Sequence, residues 1–167
     1  LHTESSLGHS RAWQLRRADG LITVARRFRR DLLERNYLPA DLIIAVEGAV
    51  DCELFSPGPA TGQVREAAGV DIAAPVAGIV ARMKTGRGHG GLLDAFEIVS
   101  EKLPAARLLI AGRGELESDL KRRVGAGDLS DKVIFLGYRR DLPDVYRSLD
   151  LEVTMAPGND GTCRAAL

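Results

Sequence analysis

Cysteine, net charge and long apolar runs are all scarce in this 167-residue chain. The two cysteines, Cys52 and Cys163, lie far apart and match no metal-ligand spacing. Two isolated thiols suit a reducing cytoplasm better than a disulfide framework. Lysine plus arginine and aspartate plus glutamate both number 23, so nothing in the overall charge argues for nucleic acid or an acidic partner. No apolar run approaches the roughly 20 residues that span a bilayer, and no signal peptide opens the sequence. A cytoplasmic protein is the expectation. The first residue is Leu1 rather than Met, which suggests a piece of a longer chain.

The residues that are present alternate between two periods. "APVAGIVAR" is a compact apolar run between Pro75 and the polar "KTGRGHG", and it predicts a buried strand. "GLLDAFEIVSEKL" puts Leu92, Leu93, Phe96, Val99 and Leu103 on one helical face before Pro104. "ARLLIAG", "KVIFLG" and "LEVTMAP" predict three more strands; "GELESDLKRRV" and "LPDVYRSLD" predict the helices between them. In "GELESDLKRRV" the acids come first and the bases last, as the helix dipole favours. Near-continuous apolar strands alternating with helices predict an α/β fold: a Rossmann-like, doubly wound parallel sheet. The first third reads as a helix in "HSRAWQLRRADG", a short strand "GLITVA", a basic helix ended by Pro39, and a strand in "DLIIAVEGAV". "SPGPATG" reads as a linker, so the expected domains are 1–55 and 56–167.

Ligands of such sheets bind beyond the carboxyl ends of the strands. At the first end, "ARMKTGRGHGG" carries Arg82 and Arg87 across a glycine-containing loop, a fork suited to a diphosphate. Helix amides from Gly90 and Gly91 onward could join the same anion site. The competing reading is a solvated basic loop, which is the reading for Lys84. At the second end, Gly112 and Gly114 only faintly match the dinucleotide fingerprint, because the third glycine is missing. A tight strand–helix turn explains them better, with Gly112 able to line a nucleotide pocket. At the third, Tyr138 and Arg139 could meet a base, while Asp141 before Leu142 and Pro143 reads as an N-cap. At the fourth, Pro157, Gly158, Asn159 and Gly161 form a loop for a small polar ligand, and Thr162 opens a helix whose N-terminus favours phosphate. Asp160 within it is either a turn residue or an acceptor for sugar hydroxyls.

In their order, these stretches resemble the retaining, nucleotide-sugar-dependent glycosyltransferases of family 4 (group 1), over nearly the whole chain. "EGAVDCELFSP" is similar to the family's interdomain segment, with Glu47 where Asn is usual. "VARMKTGRGHGGLLDAF", "LPAARLLIAGRGELESDL" and "KVIFLGYRRDLPDVYRSLDLEVTMAP" follow its later units. The resemblance implies a GT-B fold, with 1–55 as the tail of the acceptor domain and 56–167 as a truncated donor-binding domain. It implies that Arg82 is the diphosphate-binding arginine and that Arg87 replaces the usual lysine. It places Asp160 at the first carboxylate of a Glu-x7-Glu motif whose second member falls just after Leu167, and His2 at a histidine facing the donor sugar. It implies transfer from a nucleoside-diphosphate sugar, as substrate and not cofactor, to an unknown glycan, lipid or small-molecule acceptor, with retention, no metal and no nucleic acid. The alternative is a non-catalytic nucleotide-binding or interaction module on the same scaffold. The basic helix "ARRFRRDLLERN" offers either a peripheral contact with anionic lipid at the inner membrane face or a solvated helix packing Phe28, Leu32 and Leu33 inward.

Overall fold

A computed structural model of the chain describes residues 17–35 and 38–155. They divide between two compact units, with the boundary between Val50 and Asp51. The described residues of unit 1 include two parallel strands, β1 (Leu21–Thr23) and β2 (Ile43–Ala45), an α-helix, α1 (Arg26–Glu34), and a single 3-10 turn (Ala40–Leu42). Phe28, Leu32 and Leu33 are half-buried on α1. Arg29 is tied inward, its Nε donating to the Ile43 carbonyl at 2.9 Å and its Nη2 to that of Ala40 at 3.2 Å.

Unit 2 holds a four-stranded, all-parallel sheet in the order β5-β4-β3-β6. The strands are β3 (Val76–Val80), β4 (Arg107–Ala111), β5 (Val133–Gly137) and the short β6 (Leu151–Glu152). The helices are α2 (Gln63–Ala67), α3 (His89–Lys102), α4 (Glu117–Gly125) and α5 (Leu142–Arg147). Alternation along the strands sorts the core into two layers. Ile79, Leu108 and Ile110 join Leu92, Leu93 and Phe96 of α3 and Leu120 and Val124 of α4. Val76, Leu109 and Ala111 join Val64 of α2 and Val145 of α5 on the other face. Helices thus cover both faces, as the sequence pattern predicts. Fully burying a side chain such as Leu93 or Ile110 is worth about 1.5–3 kcal/mol.

Three local expectations change. The inward face of α3 runs His89, Leu92, Leu93, Phe96, Ser100, whereas Val99 and Leu103 are exposed. Ser100 can occupy the inner position because its hydroxyl donates to the Glu97 carbonyl at 2.9 Å. Helix α2 was not apparent from periodicity, since five residues carry too little pattern. The Pro/Gly stretch before it is docked on α5: Arg147 Nε donates to the Ser56 carbonyl at 3.1 Å, and the Thr61 hydroxyl to Asp144 at 2.6 Å.

Arg65 of α2 locks the amino ends of β3 and β6. Although 8% exposed, it donates from Nε to the Ser148 carbonyl, from Nη1 to those of Ile72 and Ala74, and from Nη2 to Asp150 Oδ2. The same Asp150 oxygen accepts the Val76 amide of β3 at 2.7 Å. Asp150 is largely solvated, so the ion pair adds little and the buried carbonyls carry the effect. Arg65→Met should therefore lower the unfolding free energy by roughly 2–4 kcal/mol in urea titrations. Arg65→Lys should recover less than half of that, since one ammonium cannot reach the whole set.

Candidate functional site

The strand order fixes where a ligand can sit. From β3 the chain moves outward through β4 to β5, then returns to the other side of β3 as β6. The order reverses between β3 and β6, and the crevice beyond their carboxyl ends is the binding position in open α/β sheets. The loop after β3 is the stretch holding Arg82 and Arg87. The chain after β6 continues through Val153, whose amide donates to Gly78 at 2.8 Å, and Thr154 to Met155.

These two loops touch. A Cβ added to Gly88 would lie 2.4 Å from Met155 Cβ, and Gly88 has φ +74°, so a side chain is excluded on both counts. The loops after β3, β4 and β5 are also stitched into one rim. The Ala81 amide donates to the Ala111 carbonyl at 3.0 Å, that of Met83 to Arg113 at 3.1 Å, and that of Gly112 to Gly137 at 2.7 Å. Gly112 is required by this closeness: a Cβ there would sit 2.0 Å from the Ala81 carbonyl oxygen.

Arg82 is exposed and Arg87 half-buried, and neither guanidinium forms an ion pair or side-chain hydrogen bond among the described residues. Elsewhere in unit 2, Arg65, Arg123, Arg139 and Arg147 all have partners. The rim therefore carries two guanidiniums without described counter-ions, next to Glu115, whose Oε1 accepts the Thr85 amide at 3.4 Å. It adjoins the N-terminus of α3, which has no side-chain cap and no acid in its first turn. The first amides of a helix lack intrahelical acceptors and carry partial positive charge, so loop and helix favour an anion together.

The other sequence-predicted residues fall as follows. Tyr138 and Arg139 lie beyond the end of β5, separated from β3 by β4. Tyr138 is 66% exposed. Arg139 forms a two-pronged ion pair with Asp141, Nε to Oδ1 at 2.9 Å. That pairing corrects the expected role of Asp141. It stands at the N-cap of α5, but its carboxylate caps no amide, and the Asp144 amide is taken by its backbone carbonyl instead. The Arg139 guanidinium holds the Asp141 carboxyl below its ordinary range. His2, Gly158, Asn159, Asp160, Gly161 and Thr162 lie outside the described residues.

Sequence reasoning missed His89. It opens α3 between Arg87 and the glycines, is 1% exposed, and neither ring nitrogen has a hydrogen-bond partner. The signal was available, because His89 begins the i, i+3, i+4, i+7 series of apolar positions on α3. A cleft at the opposite, amino-terminal end of the strands is lined by Arg65, Pro75, Arg147 and Asp150. Its two arginines are bound to main-chain carbonyls and serve the fold.

Comparison with known proteins gives the family and the fold. Residues 74–163 match the family model of Glycosyl transferases group 1. The lipopolysaccharide core biosynthesis mannosyltransferase LpsB of Rhizobium meliloti is 28% identical over 83% of this chain and 39% of its own length. The mannosylfructose-phosphate synthase of Agrobacterium fabrum is 42% identical over 43% of this chain and 18% of its own. The chain thus spans well under half of either relative. Among solved structures, a glycosyltransferase from Rickettsia africae superposes with a TM-score of 0.75 at 19% identity, covering 91% of this chain and 43% of that one. HepE of Anabaena, solved with UDP and glucose, gives 0.71 at 18% identity, covering 95% and 45%. At those identities the likeness establishes the fold, a Rossmann-like unit of the GT-B type.

Burial, first, and the charge of Arg87, second, lower the His89 pKa from its usual 6.5. The unfolded chain therefore binds a proton more readily than the folded one, and stability is lost as pH falls from above 6.5 towards the folded value. Urea unfolding followed from about pH 7.5 down to about 5.5 should show this loss, and His89→Leu should remove most of it.

Proposed function

The chain belongs to the group 1 glycosyltransferases, and from that premise we propose that unit 2 holds the nucleoside-diphosphate-sugar donor of a retaining, metal-independent transfer to an acceptor hydroxyl. The observation that carries the proposal is the pair Arg82 and Arg87, without counter-ions among the described residues, in the loop at the strand-order reversal. A diphosphate is the ligand group whose charge and fork-like oxygens suit two guanidiniums at a helix N-terminus. Both named curated relatives handle mannosyl groups, which makes hexosyl transfer the reading for the whole protein. UDP, the nucleotide in the HepE structure, is the first nucleotide to test.

In such a transfer the bond between the anomeric carbon and the diphosphate oxygen breaks while the acceptor oxygen bonds to that carbon and loses its proton. Negative charge grows on the departing diphosphate as the sugar gains oxocarbenium character. Donors positioned where that charge develops lower the barrier most, and Arg82, Arg87 and the opening amides of α3 are assigned that task. In the same reading Asp160 accepts from sugar hydroxyls and orients the anomeric carbon, with His2 facing the sugar. Tyr138 and the backbone beside Gly112 border the nucleoside.

Catalysis is proposed for the whole protein and nucleotide binding for this chain, since the chain spans 39% of LpsB and 45% of HepE. A cytoplasmic location accords with the two scattered cysteines. No helix among the described residues is long and apolar enough to cross a membrane. Peripheral contact with anionic lipid would rest on Arg27 and Arg30 of α1, because Arg29 is tied inward and Arg26 pairs with Glu47 at 3.3 Å.

Calorimetric titration of UDP, GDP and ADP into the chain tests this reading. At least one should bind, and Arg82→Ala and Arg87→Ala should each weaken it by roughly 10- to 100-fold, the worth of one charge-assisted contact. The matching phosphate-free nucleoside should bind all three proteins alike. Unchanged diphosphate affinity in both variants would refute the assignment.

A further inference from the structure

The N-terminus of α3 holds a side chain for which the donor reading has no use so far. His89 is 1% exposed, and its Nδ1 and Nε2 are the only buried side-chain nitrogen or oxygen atoms without a partner among the described residues. A neutral imidazole carries one N–H donor and one acceptor nitrogen. Buried polar groups ordinarily find partners, so an unpartnered pair needs a physical reason. Arg65, almost as buried, meets four acceptors.

The surroundings indicate which partner is absent. His89 is the first residue of a 14-residue helix whose N-cap, Gly88, supplies no side-chain acceptor and whose first turn has no acid. Arg87 adjoins it through Gly88, and its charge bears on the ring. Other charged groups on the neighbouring elements are Arg82 and Lys84 in the loop, Arg113 and Glu115 in the loop after β4, Asp94 on α3, Arg123 on α4 and Glu152 on β6, and Glu115 Oε1 accepts the Thr85 amide at 3.4 Å. Of these, Asp94 and Arg123 pair with each other, and Arg123 also donates to the Gly90 carbonyl at 3.1 Å. Orphan amides, a guanidinium and an unpartnered imidazole thus adjoin one another, and a multivalent oxyanion is the chemistry that satisfies all three.

We propose that His89 is a further binding residue of the donor pocket, its ring N–H donating to a phosphate oxygen of the bound diphosphate, directly or through one ordered water. This rests on the donor reading above and assigns that site an extra contact. The ring is 1% exposed, so the backbone beside it must turn aside for a phosphate to reach it. Gly86 and Gly88, both at positive φ (83° and 74°), bracket Arg87 and are where the backbone can turn.

The test uses inorganic pyrophosphate, which needs no base, with the 167-residue chain. His89→Leu removes two unpartnered polar atoms at similar volume, so its thermal midpoint should rise while pyrophosphate affinity falls at least tenfold. His89→Asn or His89→Gln, which return an N–H near one ring position, should restore binding to within threefold. A purely structural histidine would give normal affinity in His89→Leu, and that result overturns the proposal. If Arg87→Ala loses pyrophosphate but His89→Leu does not, only the role of His89 falls. If Arg87→Ala also binds normally, or the wild-type chain binds no pyrophosphate, the donor reading falls with it. Should His89→Leu fail to fold, imidazole ¹⁵N shifts of the wild-type chain decide: they should move on titration with pyrophosphate, and unmoved shifts overturn the proposal.

Discussion

The pairing of β6 with β3 is the constraint on which the rest depends. Two backbone hydrogen bonds frame it, Asp150 to Val76 at 2.8 Å and Val153 to Gly78 at 2.8 Å. They return the chain to the far side of the central strand and so set the loops after β3 and β6 beside each other. Gly78 permits this close packing, since a Cβ there would lie 2.5 Å from the Leu149 side chain. Arg65 and Asp150 secure the opposite end of the same two strands. Strand order reverses at this point, which is where open α/β sheets bind their ligands, before any side-chain chemistry is considered.

Charge then distinguishes the two ends of the sheet. The chain is neutral overall, yet its arginines are sorted by role. At the amino ends, Arg65 and Arg147 bind carbonyls and fasten α2 and the 54–56 stretch. At the carboxyl ends, Arg82 and Arg87 carry no described counter-ion, and the adjoining helix N-terminus lacks an acid. Formal charge counts could not reveal this, because a committed guanidinium and an unpaired one contribute equally to them.

Much of the fold was legible because the strands of unit 2 are short, continuous apolar runs and its longer helices have clear punctuation. Parallel order, two-sided covering and the approximate place of each strand all follow from that alternation. What escaped was decided by tertiary contacts. The five residues of α2 have no period to read, and Val99 turned outward because Ser100 could satisfy its hydroxyl within the helix. Asp141 looked like a cap from spacing alone, but a nearby guanidinium out-competed the helix amides for its carboxylate. The site was legible in part. Arg82 and Arg87 stood out as charges among glycines, whereas His89 was hidden by the apolar series it heads. Gly112 showed as a glycine worth noting, but its reason, a backbone oxygen 2.0 Å from where a Cβ would be, is visible only in three dimensions.

We propose that the pyrophosphate group lies at the carboxyl ends of β3 and β6, over the loop from Arg82 to Gly88 and the first turn of α3. A crystal structure of the protein with a bound nucleoside diphosphate tests it most directly. The account predicts both phosphates within hydrogen-bonding distance of the Arg82 and Arg87 guanidiniums, with the nucleoside running towards the loops after β4 and β5. Phosphates at the amino-terminal cleft beside Arg65 and Arg147, or on a face away from the rim, would contradict it.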